Sequence, residues 1–258
     1  MTAAQPEFQL KLADCAADLR AAQRLRYDVF VSELGGDGAQ TDHAQGLERD
    51  DYDPFFDHLL LQDQNRSASD QVVGVYRLLR SDQVERVGQY YSEDEYDLSV
   101  LHRSGRRLLE LGRTCVHPDY RGGTAMYELW SGLADYVARH RIEVLFGVAS
   151  FHGIDIAALA QPLSLLHYRH LAPPDLRVVA RSGQARRMDI LARQAVDRRA
   201  ATLATPALIK AYLRLGGFVG QGAWIDTKFN TTDVCLIMDM ARMSARQSAI
   251  YTKKRTAG

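Results

Sequence analysis

The sequence reads as a mixed α/β layer fold, a twisted sheet with helices on both faces, and three observations carry that reading. Residues 142–151 (IEVLFGVASF) are almost continuously apolar, as a strand buried on both faces must be. Residues 124–140 set Met126, Leu129, Trp130, Leu133 and Val137 on one helical stripe. Period-two and period-3.6 segments then succeed one another along the 258 residues, which suits helices layered on a sheet.

Taken in order, Phe8, Leu10 and Leu12 alternate as a strand over 7–12. Asp14 can cap a helix running to Glu33, with Leu19, Ala22, Val29 and Phe30 on one face. The glycine-rich stretch 35–46 is a loop. Residues 58–62 and 71–80 are two strands joined by the polar turn 65–70. Strand 107–116, helix 124–140 and strand 142–151 follow, then a helix near 154–168 and a break at Pro173-Pro174. Residues 177–180 are extended, a helix over 206–215 stops at Gly216-Gly217, and strands near 218–225 and 234–239 close the pattern. No linker splits the chain, so a single domain over 1–258 is expected, with 153–200 as a helical elaboration of the C-terminal half and 240–258 as a basic tail.

Lysine plus arginine equal aspartate plus glutamate at 32 each, which argues against nucleic-acid binding. The charge is nevertheless segregated. Residues 37–70 hold nine acids and two bases, and residues 175–200 hold seven arginines and three aspartates. These are either solvated faces or an acidic amine-binding region and a basic surface for an anionic partner. Cys15, Cys115 and Cys235 are too far apart for a zinc site and fit reduced thiols in the cytoplasm. The first residues lack the basic and apolar regions of a signal peptide, and no apolar window is long enough to span a bilayer.

The functional signal lies in charges that occupy apolar positions. Arg26 falls between Ala22 and Phe30 on the apolar helix face. Arg77 shares a strand face with Val73, Val75 and Leu79. Glu110 and Arg113 interrupt the apolar strand LLELGRTCV, and a bulge at Gly112 is expected to turn both to one side. Glu48, Asp50 and Asp53 crowd one short segment. Unpaired buried charges cost several kcal/mol, so these groups are expected to pair with one another around a cleft. Arg121-Gly122-Gly123-Thr124 precedes the long helix, where small residues let backbone N–H groups approach a phosphate.

These residues resemble a known family. The strand ending Arg113-Thr114-Cys115-Val116, then His117 to Gly123, then a helix, is similar to the acyl-donor site of the acetyltransferase-like (GNAT) superfold. The usual Gln/Arg-x-x-Gly-x-Gly/Ala fingerprint is broken at Thr124 and Met126, which points to a carrier-protein donor rather than free coenzyme A. Arg26 to Phe30, Glu48-x-Asp50-x-x-Asp53, Gly74-x-x-Arg77-Leu78 and Glu110-x-x-Arg113 resemble, in order, motifs of acyl-homoserine-lactone synthases. Residues 206–233 are similar to the ornithine lipid N-acyltransferases, sometimes labelled hemolysin-like, and so are 47–53 and 117–123.

The resemblance implies transfer of a 3-hydroxyacyl chain from acyl carrier protein, as a phosphopantetheine thioester, to the α-amine of L-ornithine, with no tightly bound cofactor or metal. On this reading Glu110 is the proton acceptor. Glu48, Asp50 and Asp53 hold the distal ammonium or fix Arg26 and Arg77. Arg26 or Arg113 pairs with the substrate carboxylate, and Phe30 and Arg77 join Arg26 as substrate-binding residues. Backbone N–H groups of Thr114, Cys115 and Val116 receive the oxyanion. The 177–199 region and the tail residues Arg242, Arg246, Lys253, Lys254 and Arg255 are candidates for docking the acidic carrier or anionic lipid at the inner membrane face. A synthase using S-adenosylmethionine and a non-catalytic binding module remain as alternatives. A nucleophilic Cys115 with His117, and a His58-x-x-x-x-Asp63 pair, are weaker alternatives for the chemistry.

Overall fold

The computed structural model describes residues 5–244 and Gln247, so the tail residues Arg246, Lys253, Lys254 and Arg255 lie outside the described residues. The elements are β1 (Phe8–Leu12), α1 (Ala16–Arg26), β2 (Asp57–Asp63), β3 (Val72–Arg80), β4 (Tyr96–Asp97), α2 (Ser99–His102), β5 (Leu108–Val116), α3 (Ala125–His140), β6 (Val144–His152), α4 (Ala160–His170), β7 (Val179–Ala180), β8 (Ala185–Arg186), α5 (Arg198–Ala204), α6 (Ala207–Arg214), β9 (Phe218–Val219), β10 (Ala223–Asp226) and β11 (Thr231–Asp239). They form two compact units, one of residues up to 79 with 111–140, the other of 80–110 with 141–250. Strand β5 contributes to both, residues 108–110 to the second and 111–116 to the first.

In the first unit β1, β2 and β3 are antiparallel neighbours. Side-chain parity assigns the two faces. Leu60 and Val75 pack with Ala22, Leu25 and Val29 of the first helix and with Cys115. Leu59 and Leu61 point the other way, toward α3. Two glycines set the closeness of α3: a Cβ on Gly74 would sit 2.8 Å from Leu129 Cδ1, and one on Gly132 would sit 3.1 Å from Leu10. A side chain at either position would require these leucines to shift or the helix to move away.

The first helix is not a uniform α-helix to Glu33. Its α-helical part ends at Arg26 and continues as a π-helix over Tyr27–Glu33, with the amide of Leu34 reaching back five residues to Val29 O at 3.2 Å. Asp14 does not cap it. The N-cap is Cys15, which makes no side-chain cap bond, and Asp18 instead accepts from the Asp14 amide at 3.2 Å. The π-turns widen the helix directly after Arg26, and such turns recur at functional sites.

In the second unit β5 and β6 run parallel, and β11 lies antiparallel to β6 along nine residue pairs. Strand β10 pairs β11 and β8, while β9 also pairs β11. The apolar run read from sequence is thus the central strand β6, flanked on both sides. The helix expected near 154–168 starts only at Ala160, after a turn in which Asp155 caps the amides of Ala157 and Ala158. The buried Tyr96 hydroxyl donates to the Gly222 and Asp233 carbonyls, 3.0 Å each, fastening β4 to the C-terminal strands.

Candidate active site

Three arginines and three carboxylates of the first unit alternate in a closed ring. Arg26, at the last turn of α1, donates through Nε to Glu48 at 2.5 Å and through Nη1 to Asp53 at 2.6 Å. Glu48 receives Arg113 Nε on its other oxygen at 3.0 Å. Arg113 Nη2 lies 3.4 Å from Asp50, and Asp50 takes Arg77 Nη1 on both oxygens at 2.6 and 2.7 Å. Arg77 Nη1 returns to Asp53 at 3.0 Å, closing the circuit.

Local chemistry explains how each member arrives. The Glu48 amide donates to Gln23 O at 3.1 Å, which lashes the acidic segment to α1. Asp50 Oδ1 also accepts from the Tyr52 amide at 3.0 Å, an Asx turn that begins the short helical turn Asp53–Phe55. Arg77 projects from the same face of β3 as Val75, and its guanidinium lies 4.5 Å from the centre of the Phe56 ring, a cation–π contact. Gln23 Nε2 donates to Asp53 at 2.9 Å and was not singled out in the sequence. The signal was present: Gln23 is a polar residue three positions before Arg26 on the same apolar face.

Burial divides the ring. The side chains of Arg26 and Arg77 are 0% exposed, Glu48 1% and Asp53 2%, whereas Arg113 is 13% and Asp50 19% exposed. Arg26 and Arg77, expected to touch substrate, are therefore sealed and act by positioning their carboxylate partners. Phe30 likewise packs against the core cluster of the first helix. Burial alone would raise the carboxylate pKa values, but the arginines outweigh it. Arg113 and Arg26 hold Glu48 below the usual carboxylate range, Arg77 and Arg113 do so for Asp50, and Arg26 and Arg77 for Asp53.

The irregularity in β5 sits at Arg113, not at Gly112. Arg113 has φ 49°, the left-handed region that costs a non-glycine residue on the order of 1–3 kcal/mol and persists where surroundings impose it. Its bonds to Glu48 and Asp50 supply that restraint.

Glu110 does not fit the role of base. It is 1% exposed, and its two oxygens accept the backbone N–H groups of Tyr91 at 2.9 Å and Ser92 at 2.6 Å. A base must reach the proton it removes, and this carboxylate instead holds the start of the Tyr91–Asp94 turn. Glu110→Gln is expected to cost about 1–3 kcal/mol, since an amide N–H₂ would face a backbone donor. Turnover per folded molecule should stay within about threefold. Urea unfolding and a rate corrected for folded fraction check both; a rate collapse at unchanged stability would restore Glu110 as a base.

The other weak alternatives also fail on geometry. Cys115 is 4% exposed, and burial pushes its thiol up to about 12, which disfavours a thiolate there. His58 Nε2 bonds Asp53 O at 3.0 Å, while Asp63 is held by the Tyr120 hydroxyl at 2.6 Å and by the amides of Glu7 and Asn65. The His-x-x-x-x-Asp spacing therefore places two separate anchors on β2. Burial lowers the His58 pKa, consistent with a neutral ring that donates to a carbonyl.

The donor loop follows β5. Gly122 has φ 75°, the left-handed turn that glycine supplies, and α3 begins at Ala125 with Gly123 and Thr124 exposed before it. A cleft of about 560 Å³ opens beside it, lined by Pro6, Phe8, Tyr120, Gly123, Thr124 and Glu128 among others. Arg121 is spoken for: Nε donates to Val116 O at 3.0 Å and the two Nη atoms to both Glu33 oxygens at 2.6 Å. It clamps the π-helix to the loop rather than presenting a free guanidinium to a phosphate. Among the described residues, two acid-containing clusters lie outside the ring, Asp14–Cys15–Asp18 near the surface and Glu95–Asp226–Asp233 in the second unit.

The fold and loop define a GNAT-type acyltransferase: residues 25–131 match the family model described as acetyltransferase (GNAT) domain. An acyl-homoserine-lactone synthase structure, that of coenzyme-A-dependent BjaI, superposes with TM-score 0.54 at 14% identity, covering 96% of this chain and 89% of that one, a likeness of fold. The chain is 58% identical to the L-ornithine N(alpha)-acyltransferase of Rhodobacter capsulatus, over 98% of both proteins. It is 41% identical to the enzyme of the same name from Brucella abortus, over 95% of this chain and 88% of that one. The chain belongs to the L-ornithine Nα-acyltransferase family.

Proposed function

We propose that this enzyme transfers a 3-hydroxyacyl group from the phosphopantetheine thioester of acyl carrier protein to the α-amine of L-ornithine, in the cytoplasm. The observation that carries the reading is the least buried edge of the ring, where Asp50 and Arg113 offer an anion and a cation 3.4 Å apart. An α-amino acid headgroup carries the complementary pair. Arg113 takes the carboxylate and Asp50 attracts the ammonium, while the four sealed members keep both in place.

Asp50 is held ionised by its arginines, so it orients the amine rather than deprotonating it. The ammonium, with a reference pKa near 8, loses its proton to water. The free amine adds to the thioester carbonyl, the backbone N–H groups of the Thr114–Val116 stretch meet the tetrahedral oxyanion, and its collapse breaks the C–S bond while the nitrogen gives up the proton that the thiolate takes. The carrier form of the donor is supported by the loop: Arg121, engaged by Glu33, is not turned to a diphosphate, whereas a single phosphodiester needs only the helix amides.

The pH dependence follows from the same groups. Because Glu48, Asp50 and Asp53 are all shifted downward, none titrates near neutrality. The rising limb of kcat/KM for ornithine is expected near pH 8, at the amine itself. A limb between about pH 5 and 6.5 would require a raised protein carboxylate and would contradict the scheme.

The reaction is tested by following carrier thiol release from 3-hydroxyacyl carrier protein. Ornithine should release it, and S-adenosylmethionine should not. Release with S-adenosylmethionine would favour the lactone-synthase chemistry. No release with any amine, from protein that still binds the carrier, would favour a binding module.

A further inference from the structure

Residues 186–204 lie along α4 as a strap fastened at several points. The buried Ser164 hydroxyl donates to Met188 O at 3.1 Å and accepts the amides of Ile190 at 3.2 Å and Leu191 at 3.0 Å. The Tyr168 hydroxyl donates to Leu191 O at 3.0 Å, and the Asp197 amide donates to Gln161 at 2.8 Å. Met188 and Ala201 are buried beneath the strap.

What the strap turns outward is unusual in combination. It carries five arginines and two aspartates. Both acids are used internally: Asp189 pairs with Arg187 at 2.7 Å, and Asp197 caps α5 through the amides of Arg199 and Ala200. Among the described residues no carboxylate pairs with Arg193, Arg198 or Arg199. Among them stand Ile190 at 37% and Leu203 at 73% exposure, the latter the most exposed large apolar side chain among the described residues. Leu203 is four residues after Arg199, so the two share one ridge of α5 while Ala201 faces inward.

We propose that this strap docks the enzyme on an anionic lipid surface, with Arg193, Arg198 and Arg199 on headgroup phosphates and Leu203 and Ile190 at the acyl boundary. The charge fits a negative leaflet, arginine pairs phosphate bidentately, and its stem extends to let apolar neighbours sit lower. An acidic carrier protein would match the arginines but gives no reason for a leucine to stand out in water. The biological reason for docking rests on the proposed reaction, whose long-chain product is an amphiphile; the surface itself does not depend on it.

The test is flotation with vesicles of phosphatidylcholine alone and with roughly one-third phosphatidylglycerol. The full chain should bind only the anionic vesicles and release as salt rises. Arg198→Glu with Arg199→Glu, and separately Leu203→Ser, should each weaken binding about tenfold or more, without loss of thermal stability or of turnover with soluble carrier thioester. Equal binding to both vesicle types, binding to neither, or arginine variants that float normally but lose affinity for the carrier protein would each overturn the proposal. Turnover measured on the same preparations reports separately on the reaction.

Discussion

Arg26→Met is expected to destabilise the fold by about 3–5 kcal/mol and to abolish turnover. The substitution keeps an unbranched stem and helix propensity but removes the buried guanidinium, so most of the loss is electrostatic. Glu48 and Asp53, almost fully buried, would keep their charges and lose the cation that bridges them. Arg77 still reaches Asp53 and Arg113 still reaches Glu48, but three carboxylates would then share two arginines in a low-dielectric site. The urea midpoint of the variant measures the cost. Loss of under about 1 kcal/mol would mean that the ring is not a cooperative unit. The pH response adds a check of sign. The ring carboxylates are depressed, so their stabilisation is complete above their unfolded pKa near 4 and is lost as pH falls toward the lower folded values. Wild-type stability should therefore hold down to about pH 5 and drop below 4.

Asp50→Asn is expected to separate function from stability. Its side chain is among the two most exposed of the ring, and asparagine keeps an oxygen for Arg77 and for the Tyr52 amide. The stability loss should be about 1–2 kcal/mol. The charge that attracts the ammonium is gone, and kcat/KM for ornithine should fall about 100-fold or more. Arg113→Lys should act mainly on KM for the amino acid, since an ammonium cannot reproduce the fork that meets a carboxylate. A near wild-type rate for Asp50→Asn would place the acceptor elsewhere.

How much of this was legible in the sequence depends on the kind of signal. Arg26 and Arg77 were visible because they break an apolar period, and the cost of burying a charge forces partners on them. That Glu48, Asp50 and Asp53 are those partners follows from scarcity of alternatives, but the closure of the ring does not. It needs the 47–53 segment to lie against both α1 and β3, a fact of tertiary packing. The left-handed Arg113 was not legible either, because only glycine announces such a conformation locally, and Gly112 drew attention one residue too early. Glu110 reads differently in sequence and in structure for a related reason. Its three-residue spacing from Arg113 suggested a shared task, whereas its partners are two backbone amides that leave no mark on side-chain pattern. The long strands β2, β3, β5, β6 and β11 and helix α3 are well marked because burial on one or both faces imposes strict periods, whereas the short β4 and β8 carry no period and the strand expected near 218–225 divides into β9 and β10. The π-turns after Arg26 were hidden, since their residues continue an ordinary helical stripe.

The position of the new bond tests the central claim most directly: that Asp50 and Arg113 grip the α-amino acid headgroup. Purified enzyme, 3-hydroxyacyl carrier protein and ornithine are combined, and the product is fragmented by tandem mass spectrometry. Acylation on the α-nitrogen is expected, because only that amine lies beside the carboxylate held by Arg113. Acylation on the side-chain nitrogen would mean that the headgroup binds elsewhere, and would contradict the assignment of the least buried ring edge.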